Sequence, residues 1–240
     1  MIVWKKQSIF VPQKWTYNLL KNNQNIKTTI NRNKKFVITI NRELGSGGRT
    51  IGRKLAEKLG VDFFDKALIE ALEKKYNLSA EKIEEMKGKK KSWWEDFGLV
   101  MGIGGSEIRD YHSKMSEASD CLTTEKMFKT ETEILEGIAA TESCVITGRS
   151  GFYVFRNHPN HLCILIQASM PYRLERVMRK QNVSENEARK LIDKVDQMRE
   201  NYVKRYTETS RYDTRNYDLV IKVDGKTEDE IVDYILQFIN

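Results

Sequence analysis

The sequence predicts an α/β fold of three layers, in which a sheet of five parallel strands lies between helices. Segments of continuous apolar residues, typical of strands buried on both faces, alternate with segments whose apolar residues have helical spacing. Such alternation favours a parallel sheet with helices on both faces. Ligands of these sheets bind at the carboxyl ends of the strands, so the polar residues that follow each strand are candidates for function.

A glycine-rich turn follows the first predicted strand, which covers residues 36–40. Helical apolar spacing then continues to Leu59, and Gly60 ends the predicted helix. Glycines let backbone N–H groups approach a ligand closely, and the start of a helix adds positive potential. This setting predicts a phosphate-binding loop, with a glycine turn that holds no ligand as the alternative. The loop residues are Gly45, Ser46, Gly47, Gly48, Arg49 and Thr50.

The turn is a degenerate form of the phosphate-binding pattern G-x-x-x-x-G-K-[ST]. With Gly48 at the second glycine, Arg49 takes the lysine position and Glu43 takes the position of the first glycine. Arginine keeps the positive charge but replaces a compact ammonium with a planar fork that can hold phosphate bidentately. Thr50 takes the hydroxyl position, where it is a candidate ligand of Mg²⁺ or a cap of the helix.

The remaining predicted strands cover residues 61–64, 143–147, 162–166 and 218–223. Asp65 follows the second strand and Arg149 follows the third, so both are expected at the ligand-binding edge with the glycine loop. Asp65 has a second interpretation, as the cap of a helix that begins at residue 66. Between these strands we expect helices near 66–76, 79–86, 106–119 and 122–140, with an exposed, mobile loop over 87–105.

Two arginine-bearing helices are predicted after the fourth strand. Ser169 opens the first, which carries Arg176, and the second begins with the capping box Ser184-x-x-Glu187 and carries Arg199. Each arginine is either a ligand contact or a solvated surface charge. The last helix follows Thr227-x-x-Glu230 and has the apolar stripe of a core helix.

The net charge of +7 is confined to the start of the chain. Residues 1–35 hold eight Lys or Arg and no acid, which leaves 33 basic and 34 acidic residues in 36–240. We interpret 1–35 as a basic, poorly ordered extension, so nucleic acid is an unlikely partner of the body of the protein. Salt-sensitive nucleic-acid binding through this extension is the alternative.

Other classes of function find little support in the sequence. It has no apolar run of about 18 residues, so we expect no membrane span, and its start lacks a signal peptide. The three cysteines form no C-x-x-C pair, and Cys144 and Cys163 lie in strand-like runs as packing residues. The histidines show no spacing typical of a metal site. These features suit a reducing cytoplasm, and they leave the oligomeric state open.

Several of these segments together resemble the cytidylate kinase-like family, a divergent branch of the nucleoside monophosphate kinases. The resemblance is carried by residues 38–49, 55–60, 63–66 and 145–149 and by Asp196-x-x-Arg199. It spans about residues 36–240 and implies a P-loop kinase fold with a helical lid near 173–212 and acceptor-side helices near 66–140. It also implies ATP and Mg²⁺ as cofactors and phosphoryl transfer to CMP or dCMP, a small-molecule nucleotide.

The resemblance also implies roles for individual residues. Residues 45–50 would hold the phosphates of the donor, Asp65 the acceptor nucleotide, and Arg149 the acceptor's phosphate. Arg176 and Arg199 correspond to lid residues that face the transferring phosphoryl group. The proposed catalytic residues are therefore Arg49, Arg149, Arg176 and Arg199, and Thr50 is the proposed Mg²⁺ ligand.

The third strand departs from the pattern of cytidylate kinases, which have Asp-Gly-Arg-Asp where this chain has Thr147-Gly148-Arg149-Ser150. Two carboxylates near Mg²⁺ and the nucleobase are thus missing. Two alternatives therefore stay open beside CMP kinase: a kinase of another small metabolite, and a degenerate nucleotide-binding regulatory protein without turnover.

Overall fold

The computed structural model describes residues 30–65 and 125–239. Within these ranges the strands are β1 (Val37–Arg42), β2 (Asp62–Asp65), β3 (Cys144–Thr147), β4 (His161–Gln167) and β5 (Leu219–Lys222). The helices are α1 (Gly48–Leu59), α2 (Glu125–Thr141), α3 (Gly151–Val154), α4 (Met170–Gln181), α5 (Glu185–Thr207) and α6 (Glu228–Ile239). A 3₁₀ turn covers Thr214–Asn216.

The strands form one parallel sheet in the order β2-β3-β1-β4-β5, which confirms the predicted fold class. β1 is central: Val37 lies opposite Cys144 of β3 and His161 of β4. Because all strands point the same way, the loops after β1, β2 and β3 emerge at one edge. This edge carries the glycine loop, Asp65 and Arg149.

Apolar side chains pack on both faces of the sheet and produce the three layers. On one face, Ile51 of α1 and Ile231 of α6 are buried against Ile38 and Ile40 of β1. On the other face, α2 buries apolar residues against β1, β2 and β3. A separate cluster joins α4 to α5, so these two helices pack as a pair. The residues of α2 in the second cluster are Ile134, Leu135, Ile138 and Ala139.

β1 is longer than its apolar run predicts, because it continues through Asn41 to Arg42. Backbone pairing with β4 persists there, with Arg42 opposite Ile166. Strand pairing satisfies backbone groups whatever the side chains are, so the polar residues extend the strand that the apolar pattern ended at residue 40. Arg42 consequently stands at the ligand-binding edge.

The predicted helix starts are confirmed. Ser169 accepts a hydrogen bond from the Tyr172 backbone N–H, and Ser184 with Glu187 forms the reciprocal capping box of α5. Thr227 and Glu230 exchange the same pair of bonds at the start of α6. The sequence interpretation missed α3, because four residues are too few to show a period.

The predicted helices near 66–119, the loop over 87–105 and residues 1–29 lie outside the described ranges. The division into an extension, acceptor-side helices and a lid therefore remains a prediction. Within residues 30–65 and 125–239, no helix is long and apolar enough to cross a membrane.

Candidate functional site

The glycine loop between β1 and α1 has the backbone of an anion cradle. Gly45 and Gly47 adopt φ of 85° and 83°, a left-handed conformation that favours glycine. α1 begins at Gly48, and the cap residue Gly47 offers no side chain to its first N–H groups. The N–H groups of the first turn of a helix have no partner within the helix, and they point towards the space before it.

A cavity of about 630 Å³ lies in front of this loop. It is lined by loop residues together with side chains of α1, α4 and α5. Basic side chains outnumber acidic ones in this lining, since Glu43 and Glu57 are the only acids among the lining residues. A polyanion such as a chain of phosphates suits that charge. The basic lining residues are Arg42, Arg49, Arg53, Lys54, Arg176, Lys180 and Arg199.

Arg49 and Asp65, which the resemblance assigns to donor and acceptor, contact each other. Nε of Arg49 lies 2.6 Å from Oδ2 of Asp65. The Arg49 side chain is 44% exposed and faces the cavity, whereas Asp65 is buried. The contact ties the start of α1 to the end of β2. The partner of the Asp65 carboxylate is therefore a cation. The helix that Asp65 was suggested to cap, which is predicted to begin at residue 66, lies outside the described residues.

Arg176 is a buried residue of α4, so its interpretation as a solvated surface charge is wrong. Its Nη2 lies 2.7 Å from Oε1 of Glu228 on α6 and 3.5 Å from Oγ1 of Thr50. A Cβ on Gly47 would lie 3.3 Å from Cζ of Arg176, so the glycine makes room for the guanidinium. Arg176 therefore lies directly over the loop, in contact with Gly47 and Thr50.

Thr50 is the third residue of α1 and lines the large cavity. Its suggested role as the helix cap is wrong, because the cap is Gly47 and no side chain caps this helix. The hydroxyl lies 3.5 Å from Nη2 of Arg176. Because Mg²⁺ beside nucleotides usually binds phosphate oxygens, water and one or two protein oxygens, Thr50 stays a candidate ligand. In the part of the chain that the structure describes, no cluster of three or more acidic, His or Cys residues could hold a metal by itself.

Asp196 of α5 connects the glycine loop to the arginine-bearing helices. The buried carboxylate accepts a hydrogen bond from the Leu44 backbone N–H at 3.0 Å. It forms ion pairs with Arg173 of α4, Arg199 of α5 and Arg211, the latter two at 3.6 and 3.5 Å. One negative charge thus holds three guanidinium groups around the loop. The sequence showed Asp196 only as part of a motif.

Arg149 adopts φ of 53° after β3, and its buried side chain pairs with Glu131 of α2. The guanidinium also lies 5.5 Å from the ring centre of Tyr202, whose hydroxyl donates to Glu131 at 2.7 Å. Tyr202 and Tyr206 both pack with Phe128. Arg149 lines a second cavity of about 100 Å³, beside the first. Glu131 was missed, because a single glutamate in a helical pattern carries no signal of its own.

Arg42 and Arg211 also line the smaller cavity, and the sequence interpretation assigned neither of them a role. Arg211 is fully buried in the segment between α5 and β5. Its Nη2 donates to the Arg42 carbonyl oxygen, and Arg199 donates to the same oxygen at 3.4 Å. Arg199, whose side chain is 25% exposed, contacts these groups as well as solvent. A lone arginine in a loop gave no pattern by which Arg211 could have been found.

The crowding of cations changes the proton affinities of the basic groups. Burial, with the charges of Arg199 and Arg211, lowers the pKa of Arg42 well below its ordinary value. Burial and the charge of Arg211 lower the pKa of Arg199 to about 10. Burial and the charge of Arg176 lower the pKa of Lys180. A bound anion would favour the protonated form of each of these groups, because an opposite charge nearby stabilises the cation.

The family model described as the cytidylate kinase-like family matches residues 37–225. No curated protein matches the sequence. The match includes the glycine loop, Asp65, Arg149 and both arginine-bearing helices, so all of the candidate site falls inside it.

The structure is similar to that of an uncharacterized protein from Eubacterium ventriosum, with 23% identity, a TM-score of 0.62 and coverage of 85% of this chain and 98% of that one. Two further likenesses are weaker. Shikimate kinase from Acinetobacter baumannii, in complex with shikimate, has 18% identity and a TM-score of 0.44, with 86% and 93% of the chains covered. A gluconokinase from Sinorhizobium meliloti has 16% identity and a TM-score of 0.45, with the same coverage. The first supports the fold, and the other two carry no assignment of substrate.

Proposed function

The chain belongs to the cytidylate kinase-like family, and on that premise we propose that it transfers a phosphoryl group from ATP to a nucleoside monophosphate, with CMP or dCMP as the preferred acceptor. Membership of this family supports a phosphotransferase as the class of enzyme. The observation that carries the proposal is the convergence of the glycine loop, Arg149 and the arginines of α4 and α5 on two adjoining cavities at one edge of the sheet. ATP, Mg²⁺ and a cytoplasmic location are parts of the proposal.

The donor belongs in the larger cavity. Backbone N–H groups of residues 45–50 and the start of α1 would bind its β- and γ-phosphates. Arg176 lies over the loop, and Arg49 stands at the lysine position of the P-loop pattern. Thr50 would hold Mg²⁺ through its hydroxyl, and the ion would neutralise charge on the phosphates. The Arg49 side chain is 44% exposed towards the cavity, and in this proposal it exchanges Asp65 for a phosphate when the donor binds.

The acceptor belongs on the side of the smaller cavity. Arg149 would bind its phosphate, with Glu131 and Tyr202 keeping the guanidinium in place. Asp65 would hold the nucleoside part, since it ends β2 at the same edge. Residues 66–124, which follow Asp65, lie outside the described ranges.

Phosphoryl transfer asks little covalent chemistry of a protein. It needs the attacking and leaving oxygens in line and cations on the oxygens of the transferring group. Arg49, Arg149, Arg176 and Arg199 supply these cations in the proposal. α4 and α5 pack as a pair, and Asp196 connects them to the loop at the Leu44 N–H. Movement of this pair towards the donor would exclude water before transfer.

Two alternatives have specific support. Thr147 and Ser150 stand where cytidylate kinases have aspartates, which favours a different small-molecule acceptor. The arginine at the lysine position favours a protein that binds nucleotide without turnover. Both alternatives keep the larger cavity as a nucleotide site. The first differs from the main proposal in the acceptor, and the second differs in having no turnover.

A panel of acceptors separates these possibilities. Purified full-length protein would be given ATP and Mg²⁺ with CMP, dCMP, UMP, AMP, shikimate or gluconate, and ADP formation would be followed. Turnover that depends on CMP or dCMP supports the main proposal, and turnover with another acceptor supports the first alternative. Binding of ATP in calorimetry with no turnover on any acceptor supports the second. Absence of ATP binding contradicts all three.

A further inference from the structure

The Arg42 side chain is enclosed between two glycines at the end of β1. A Cβ on Gly48 would lie 2.5 Å from Cβ of Arg42, and a Cβ on Gly148 would collide with its Nη1. Any other residue at either position would displace the arginine. The guanidinium is therefore held at the edge of the sheet between the start of α1 and the end of β3.

Arg42 and Arg199 are lining residues of both cavities, and Arg211 lines the smaller one. Arg199 and Arg211 both donate to the carbonyl oxygen of Arg42, which brings the three residues together. The group formed by Arg42, Arg199 and Arg211, called the arginine triad below, thus lies at the boundary between the proposed donor and acceptor sites.

The triad has more positive charge than its protein partners neutralise. Within residues 30–65 and 125–239, Asp196 is the only carboxylate that forms ion pairs with it, and it is shared with Arg173. Among the same residues, no carboxylate forms an ion pair with Arg42, and Nε of the fully buried Arg211 has no hydrogen-bond partner. Glu200 accepts from the Arg211 backbone N–H, not from its guanidinium.

A buried cation with unused N–H donors, such as Arg211, is costly unless an anion completes its surroundings. Guanidinium groups match phosphate oxygens bidentately, and the shared boundary is where a phosphoryl group must pass from donor to acceptor. We propose that Arg42, supported by Arg199 and Arg211, contacts the phosphoryl group in transfer, the γ-phosphate of the bound donor. This inference rests on the proposed function.

Arg42 suits this contact better than Arg49 does. Arg49 is 44% exposed and paired with Asp65, so it must exchange that partner to bind a phosphate. Arg42 ends a strand paired with β4 and is enclosed by glycines, so it is already in place. A preorganised cation stabilises charge in the transition state without a cost of reorganisation. Arg42 is thus a catalytic residue in this proposal, and Arg211 is a positioning residue.

The test compares affinities for a non-hydrolysable ATP analogue, ADP and CMP by titration calorimetry. The proteins are the full chain, Arg42→Met, Arg42→Lys and the control Arg189→Met, which removes an exposed arginine of α5 paired with Glu185. Loss of a charge-assisted contact to the γ-phosphate should weaken binding of the analogue about 10-fold or more in Arg42→Met. Affinity for ADP should change less than about threefold, and Arg189→Met should match the parent chain.

Three results for Arg42→Met would overturn the inference and leave the proposed function standing. They are an equal loss of affinity for the analogue and ADP, a loss for CMP alone, and no loss of affinity.

The melting temperature in the presence of inorganic phosphate separates the remaining cases. Suppose that the parent chain binds no nucleotide but that its melting temperature rises with phosphate. If Arg42→Met abolishes this rise, the anion site is supported and the proposed kinase activity is refuted. If the parent chain binds no nucleotide and its melting temperature does not rise with phosphate, both the proposed function and the role of Arg42 are refuted. If Arg42→Met does not fold, the same comparison with Arg42→Lys, which keeps a point charge but not the planar fork, decides the question.

Discussion

Nε of Arg49 lies 2.6 Å from Oδ2 of Asp65, so the cation of the glycine loop is bound to the carboxylate that ends β2. The pair connects two elements that would hold different substrates. An ordered change of partner, from Asp65 to a phosphate, would couple donor binding to the state of the acceptor side. The kinetic effects of the two residues should then depend on each other.

Replacement of Arg49 should abolish most turnover. Arg49→Ala removes a cation from the transferring phosphoryl group, and arginines in that role contribute about 10³-fold or more to kcat. Asp65→Asn should instead raise KM for the acceptor, and it should not weaken donor binding, because it removes the carboxylate that competes with phosphate for Arg49. Initial rates with varied CMP and ATP measure both effects. Equal effects of the two substitutions on the donor alone would contradict the assignment of Asp65.

Asp196→Asn should destabilise the fold. The substitution leaves Arg173, Arg199 and Arg211 without their shared carboxylate, and loss of one partner from a buried ion-pair network costs about 3–5 kcal/mol. The free energy of unfolding in urea measures this. Asp193→Asn on the exposed face of α5 is the matched control and should change stability by less than about 0.5 kcal/mol. Equal stability of the two variants would mean that the network contributes nothing.

Gly148→Ala should cost more stability than Gly60→Ala. Both glycines have positive φ, 84° and 66°, so both variants bear the left-handed strain of about 1–2 kcal/mol. An added methyl at 148 also collides with Arg42, whereas one at 60 meets nothing within 4 Å. The difference between the two losses isolates the contact. When Gly148→Ala is combined with Arg42→Ala, part of the stability lost through the collision should be recovered. If the losses in free energy of unfolding of the two single variants simply add, the contact is absent.

Glu142 should make stability fall as the pH rises. Burial and the charge of Asp62 raise the pKa of the Glu142 carboxyl from 4.5 to about 7. The native state therefore keeps a proton that the unfolded chain releases, and the free energy of unfolding decreases between about pH 4.5 and 7. Glu142→Gln should flatten this part of the profile. The exposed Glu136→Gln is the control, and an identical slope in both variants would refute the effect.

The sequence predicted the sheet well because continuous apolar runs and capping residues are local signals. It predicted all five strands, their parallel arrangement, and the starts of α4, α5 and α6. The end of β1 was wrong by two residues, since the ladder to β4 continues past the last apolar side chain. Arg42 consequently fell outside the predicted strand and was assigned no role.

The candidate site was predictable only in part for a related reason. Glycines before a helix and an arginine after a buried strand are patterns in one dimension, and they led to the glycine loop and Arg149. The pairing of Asp196 with three arginines from separate segments is a property of the fold. Arg211, Glu131 and Glu228 each lie far in sequence from the residues they contact. No spacing rule identifies such partners.

The central claim is that the glycine loop presents Arg49 to a donor phosphate in a working kinase. The most direct measurement is the initial rate of ADP formation from ATP and Mg²⁺, with and without CMP or dCMP, for the parent chain and Arg49→Ala. We expect acceptor-dependent ADP formation that falls about 10³-fold in the variant. Acceptor-dependent turnover that is unchanged in Arg49→Ala, or its absence in a parent chain that binds ATP, would contradict it.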